Sequence, residues 1–184
     1  MLISLDKRMN VVLVAMLMIS SAIAKDEVSY LYDCSVPYET IRLVAVAERH
    51  IKRDIGYPYL ISFNSKNKDI QEILKGFKYE RLDSRTIDCK SESNCINITK
   101  KLISFNQVNL DLGAFQQCYR YFKYEDMSNY FSLKKSYKKT CNILEDLIKR
   151  YGYSWDTIGM YHNRKSKEKE RWLKLISQKV KNAG

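Results

Sequence analysis

Two prolines and six glycines in 184 residues leave this chain few places to break a helix, and no low-complexity linker or internal repeat interrupts it. Helices joined by short connections are the economical solution. Periodicity places them at Glu39–Lys52, Asp69–Gly76, Glu92–Phe105, Leu133–Tyr151, Trp155–Tyr161 and Ser166–Val180. In the third, Ile96, Ile98, Leu102 and Ile103 face inward. In the fourth, Tyr137, Cys141, Leu144, Leu147 and Ile148 share a face, with Gly152 as the stop, and Ser154 can cap the fifth. The segment Gly56-Tyr57-Pro58-Tyr59 ends the first helix before a short extended run, Leu60–Phe63, that closes at Asn64, and Arg85–Cys89 reads as a strand. Residues Asn106 to Tyr124 read as irregular and aromatic-rich, interrupted by Gly113. The expected class is α+β, predominantly α-helical, with a minor β-hairpin.

The N-terminus has the pattern of an export signal: Lys7 and Arg8, an apolar run from Val11 to Ile19, then Ser20-Ser21-Ala22-Ile23-Ala24. Small residues at Ala22 and Ala24 suit cleavage before Lys25, giving a signal peptide of 1–24 and a single mature domain of 25–184. The run is short for a permanent span, so no integral membrane domain is expected after cleavage; an uncleaved anchor is the alternative. About 160 residues remain, enough for one core.

All five cysteines lie in the mature part, which fits an oxidising compartment. Cys89 and Cys95 can close a short loop, Cys34 and Cys141 can staple the domain ends, and Cys118 is then left free. No cysteine pair has metal-site spacing, and His50 and His162 are the only histidines, so neither a metal nor a cofactor is expected. The formal charge of +11 becomes +10 when Lys7, Arg8 and Asp6 leave with the signal. Such charge favours an anionic partner: nucleic acid, an anionic membrane face or an acidic wall polymer. Export and the absence of nucleic-acid-binding motifs exclude the first as the ordinary partner. The stripe Trp172, Leu173, Leu175, Ile176 and Val180 can dock on a membrane or partner, although packing on its own domain is the commoner outcome.

Glu48 stands out, because it closes the run Ile41-Arg42-Leu43-Val44-Ala45-Val46-Ala47 and shares a helical face with Ile41, Val44 and Ala45. Burial of that kind suits a general acid working near neutral pH. The plain alternative is a surface acid ending the helix among Arg49, His50, Lys52 and Arg53.

Four blocks in order across residues 34 to 163 resemble a known family. They are Val44-Ala45-Val46-Ala47-Glu48, Tyr57-Pro58-Tyr59-Leu60-Ile61-Ser62-Phe63-Asn64, Asp111-Leu112-Gly113-Ala114-Phe115-Gln116-Gln117-Cys118, and Tyr151-Gly152-Tyr153-Ser154-Trp155 running on to Tyr161-His162. They are similar to the lytic transglycosylases with a soluble-lytic-transglycosylase domain, above all the small exported members that accompany type IV secretion systems. Cys34 and Cys141 match a cysteine pair of those members, which strengthens that pairing. Arg49 stands where the family usually has Ser, and Cys118 where it has Asn.

The resemblance implies a lysozyme-like domain in the bacterial periplasm, acting on peptidoglycan glycan strands, with secretion-system components as further partners. It implies cleavage of the β-1,4 bond between N-acetylmuramic acid and N-acetylglucosamine with formation of a 1,6-anhydro ring. Glu48 would be the single acid and base, Tyr161 would orient it, and Gln116 would hold the sugar's acetamide or ring substituents. Tyr59, Asn64, Gly113 and Phe115 complete the implied substrate site, and Tyr57, Tyr119, Tyr121 and Phe122 are further sugar-stacking candidates. Two rivals stay open: a lysozyme-type hydrolase in which Asp111 or Asp54 activates water, and a wall-binding module without activity.

Overall fold

A computed structural model describes residues 33–64, 70–163 and 165–181. The export signal, its cleavage point and Asp69 lie outside the described residues. The chain divides between Ser35 and Val36 into two compact units, and the second, from Val36 onward, holds every helix and strand among the described residues. It is mixed helix and sheet.

The elements are α1 (Tyr38–Glu48), β1 (Leu60–Phe63), α2 (Ile70–Ile73), β2 (Glu80–Arg81), β3 (Thr86–Asp88), α3 (Glu92–Ser104), β4 (Leu110–Leu112), β5 (Gln117–Cys118), α4 (Ser128–Phe131), α5 (Leu133–Tyr151), α6 (Trp155–Gly159) and α7 (Ser166–Lys181). In place of a minor hairpin there is one antiparallel sheet of five strands, ordered β2-β3-β1-β4-β5. Three of its strands come from segments read as connections, and each is only two or three residues long. That is too short for alternation to register in the sequence.

Side-chain alternation gives the sheet two faces. Ile61 pairs with Ile87 and Leu112, Phe63 pairs with Leu110, and all five are buried. With Ile98 and Leu102 of α3 and Tyr130 and Phe131 of α4 they form one core cluster, closed by the Cys89–Cys95 disulfide. Each fully buried aliphatic there contributes about 1.5–3 kcal/mol. The other face carries Ser62, which pairs with Thr86 and Asp111, while Asp111 also pairs with Cys118. Polar groups therefore line the side away from the core.

α1 stops at Glu48, four residues before the expected end at Lys52, because Arg49 is extended (φ −61°, ψ 130°). The charged residues beyond it are drawn toward the sheet. His50 Nε2 lies 3.0 Å from Asp83, Lys52 Nζ donates to the Leu82 carbonyl at 2.6 Å, and Arg53 bonds Asp88 at 2.7 Å and Glu80 at 2.5 Å. Asp88 is fully buried and also accepts from the Tyr57 hydroxyl and the Lys90 amide. α5 runs from Leu133 to Tyr151 and stops at Gly152 (φ +78°) as its sequence expects, and Ser132 caps its start by accepting from the Lys135 amide. α7 packs on α1 and α6, with Trp172 and Ile176 buried and Leu175 exposed. That is the commoner of the two outcomes weighed for its stripe. The side chain of Val180 lies outside what is described.

Candidate functional site

Glu48 ends α1, at the negative pole of the helix dipole, where a carboxylate is electrostatically disfavoured. Ile41, Val44 and Ala45 bury the same helical face, and the Glu48 side chain keeps only 11% of its exposure. Two donors converge on its Oε1. The indole Nε1 of Trp172 donates at 2.8 Å, and Nδ1 of His162 lies at 3.0 Å. The imidazole and indole rings stack, with centroids 5.6 Å apart and planes 11° from parallel. Among the described residues both hydrogen bonds to Glu48 fall on Oε1, which leaves Oε2 for another partner.

Asp111 of β4 joins this group from the polar face of the sheet. Burial raises its pKa, hydrogen bonds with Asn64 and Cys118 pull the other way, and the charge of Glu48 pushes it up further. For His162, burial opposes protonation, but the hydrogen bond and charge of Glu48, with Asp111 adding, outweigh it and raise the pKa. The Cys118 thiol is raised by burial first and by Asp111 next. Cys118 is the free cysteine, as expected; Cys89 is bridged to Cys95, and Cys34 and Cys141 are both in the disulfide-bonded state.

Tyr161 is buried, and its hydroxyl donates to the Phe115 carbonyl at 2.9 Å, not to Glu48. Thr140 Oγ1 lies 3.3 Å from the same hydroxyl and accepts from Gln117 Nε2 at 2.9 Å. Burial holds the phenol protonated well above its usual range. Tyr161 thus fixes the 113–116 turn and, through the chain, the position of His162. Gly113 (φ +77°) begins that turn, donating to the Leu60 carbonyl at 2.9 Å. A Cβ at 113 would collide with the Tyr130 carbonyl oxygen, so only glycine fits.

The other expected substrate residues are spread more widely. Gln116 (φ +45°) turns its amide back on the Gly113 carbonyl at 2.7 Å, so that donor is engaged inside its own turn. Phe115 is buried against Tyr137. Asn64 is exposed and accepts from Arg85 at 3.0 Å while also bonding Asp111. Tyr59 packs half-buried on the core cluster beneath the sheet, edge-on to Tyr57, as does Tyr119 beside Tyr130. Tyr121 is exposed, and Phe122 lines a cavity of about 170 Å3 with Ile143, Leu147, Met160 and Tyr161. A more open, polar hollow of about 380 Å3 is lined by Arg49, Lys52, Asp54 and Tyr57. Glu48 lines neither.

The four sequence blocks therefore meet. Glu48 of the first is bonded to His162 of the fourth, Tyr161 of the fourth to Phe115 of the third, and the second pairs with the third along β1 and β4. Trp172 lies outside all four blocks, and the signal that could have found it is its indole N–H, which needs a partner when buried. His162 could have been found as the residue after Tyr161. No family model matches the chain, and no curated protein or solved structure matches it.

Proposed function

We propose that the protein is an exported lytic transglycosylase with a lysozyme-like domain, cleaving peptidoglycan glycan strands in the bacterial periplasm with Glu48 as acid and base. The observation that carries this reading is the convergence on Glu48 of residues distant in sequence, around a nearly enclosed carboxylate whose hydrogen bonds, among the described residues, both fall on one oxygen. An acid at the wrong end of a helix dipole, held by two donors and faced by a second acid, is poorly accounted for by stability alone. The oxidised cysteines are compatible with export.

In this reading Glu48 Oε2 gives its proton to the glycosidic oxygen as the bond to the anomeric carbon breaks, and the substrate's acetamide stabilises the positive centre. The same carboxylate then takes the proton of the muramyl 6-hydroxyl, whose oxygen closes the 1,6-anhydro ring. No water has to be positioned. Opening the wall for a secretion apparatus is the role that fits such an activity.

A lysozyme-type hydrolase is the second reading, and Asp111 favours it by lying within the electrostatic reach of Glu48. Asp111 also holds its proton to higher pH than an ordinary aspartate, which weakens it as a base for water. Mass spectrometry of fragments released from purified sacculi separates the two: 1,6-anhydro ends support the transglycosylase, reducing muramyl ends the hydrolase. Glu48→Gln protein digesting sacculi at the parent rate would refute both. Sedimentation of both proteins with sacculi, with no fragments released, would leave a wall-binding module.

A further inference from the structure

We propose that His162 and Trp172 are positioning residues for Glu48: two donors fixed on one carboxylate oxygen, they present the other to the scissile bond and stabilise the charge that appears when its proton leaves. The inference rests on Glu48 as the acid of the proposed reaction and deepens it. Only interactions stronger in the transition state than in the resting complex accelerate a step. In the resting acid, Oε1 is an uncharged carbonyl oxygen. As the O–H bond at Oε2 breaks and a new one forms to the glycosidic oxygen, negative charge spreads over both carboxylate oxygens. The bond from Trp172 at 2.8 Å then becomes charge-assisted, about twice as strong as before, and the contact with His162 at 3.0 Å becomes an ion pair when its ring is protonated.

The donors are set in place before reaction. Trp172 is buried, it fixes the plane of the His162 ring by stacking, and its helix is tied to α6 by Lys169 on Asp156. A donor at His162 Nδ1 requires either the cation or the neutral tautomer with its proton on that nitrogen. The charged groups that face His162 are Glu48 from α1 and Asp111 from β4, with neutral Trp172 from α7 on its face. Each acid favours the cation when it is ionised, and the cation carries the Nδ1 donor.

Three variants test this on purified glycan strands, with kcat, KM and the pH profile measured together. Trp172→Phe removes one donor and keeps a ring. His162→Ala removes the other donor, and His162→Asn returns an N–H near Nδ1 without a titratable charge. Trp172→Phe and His162→Ala are expected to lower kcat about 10- to 100-fold with KM within about twofold. His162→Asn is expected to recover most of the loss while moving or flattening the alkaline limb, which in the parent falls at the pKa read from the His162 ring by NMR. A packing role would leave the limb where it is and give no rescue by Asn. Variants that keep the parent's kcat and profile overturn the clamp alone. A parent that releases nothing overturns the assignment of Glu48 and the clamp with it.

Discussion

Replacing Trp172 with Phe deletes an N–H donor that lies 2.8 Å from a carboxylate whose side chain is only 11% exposed, while an aromatic ring is kept against His162. A hydrogen bond to a charged group is worth about 1.5–3 kcal/mol, and the smaller ring adds a packing loss that this figure does not include. A double-mutant cycle with Glu48→Met removes that ambiguity. Methionine has similar length and no oxygen acceptor, and the loss of the His162 contact is common to both sides of the cycle. The coupling between positions 48 and 172 is then expected at about 2 kcal/mol, which in a domain of this size is a departure from additivity of about 4–8 °C in melting temperature. Urea denaturation of the four proteins, followed by tryptophan fluorescence and circular dichroism, gives the four free energies. Stability losses that add to within about 0.5 kcal/mol would show that Trp172 does not hold Glu48 in solution, and the geometry of the site would have to be abandoned.

Gly113→Ala is expected to cost at least about 3 kcal/mol, since strain at φ +77° is joined by a collision with the Tyr130 carbonyl, whereas Gly76→Ala (φ +90°), with nothing within 4 Å, should cost about 1 kcal/mol; denaturation midpoints rank the two. Asp88→Asn leaves Arg53 without its buried carboxylate partner and should cost about 3 kcal/mol. For the parent Asp88, burial raises the pKa, but the Lys90 amide, Arg53, the Lys90 ammonium and Tyr57 together lower it. Its stabilisation is thus present above the unfolded value and lost as pH falls through the folded one, so the acid-unfolding transition should be blunted in Asp88→Asn. His162 has the opposite sign: its raised pKa adds stability that is complete below the unfolded value and fades as pH rises through the folded one, and Glu48→Gln should flatten that slope. Peptide mapping without reduction should link Cys34 to Cys141 and Cys89 to Cys95 while leaving Cys118 open to alkylation; alkylation at any of the other four would break the proposed framework.

The helices were legible where local signals agreed. α5 has an apolar face, a serine cap and a glycine stop, and its expected bounds are the ones found. α1 was overextended because nothing local ends it; the bonds from His50, Lys52 and Arg53 to residues 27 to 35 positions later do so. The sheet was half legible, since strands of two or three residues carry no period and become strands only by pairing, β2 beside β3, β4 beside β1 and β5 beside β4. At the site, Glu48 was marked by the helical face it shares with Ile41, Val44 and Ala45, and Tyr161 only by the family resemblance. Their relation was not legible: Tyr161 reaches Phe115, and the groups on Glu48 are His162, the chain neighbour of Tyr161, and a tryptophan that belongs to an apolar stripe. Which partner a buried N–H finds is decided by packing between α1 and α7, a contact across more than 120 residues that no local pattern encodes.

Arg49 illustrates what the tertiary structure changes in the chemistry. In the sequence it sits beside Glu48 as a permanent positive charge, a neighbour that would favour the ionised carboxylate at every working pH. In the fold its extended backbone carries it out to the surface, and the partner on Glu48 is instead His162, 114 residues away. An arginine cannot surrender its charge, whereas a histidine can. The partner of Glu48 is thus a side chain whose charge responds to pH, and, against the effect of burial, the hydrogen bond and charge of Glu48 raise its pKa. Under the proposed reaction a single acid first gives and then reclaims a proton, and histidine is the neighbour whose ionisation range suits both states.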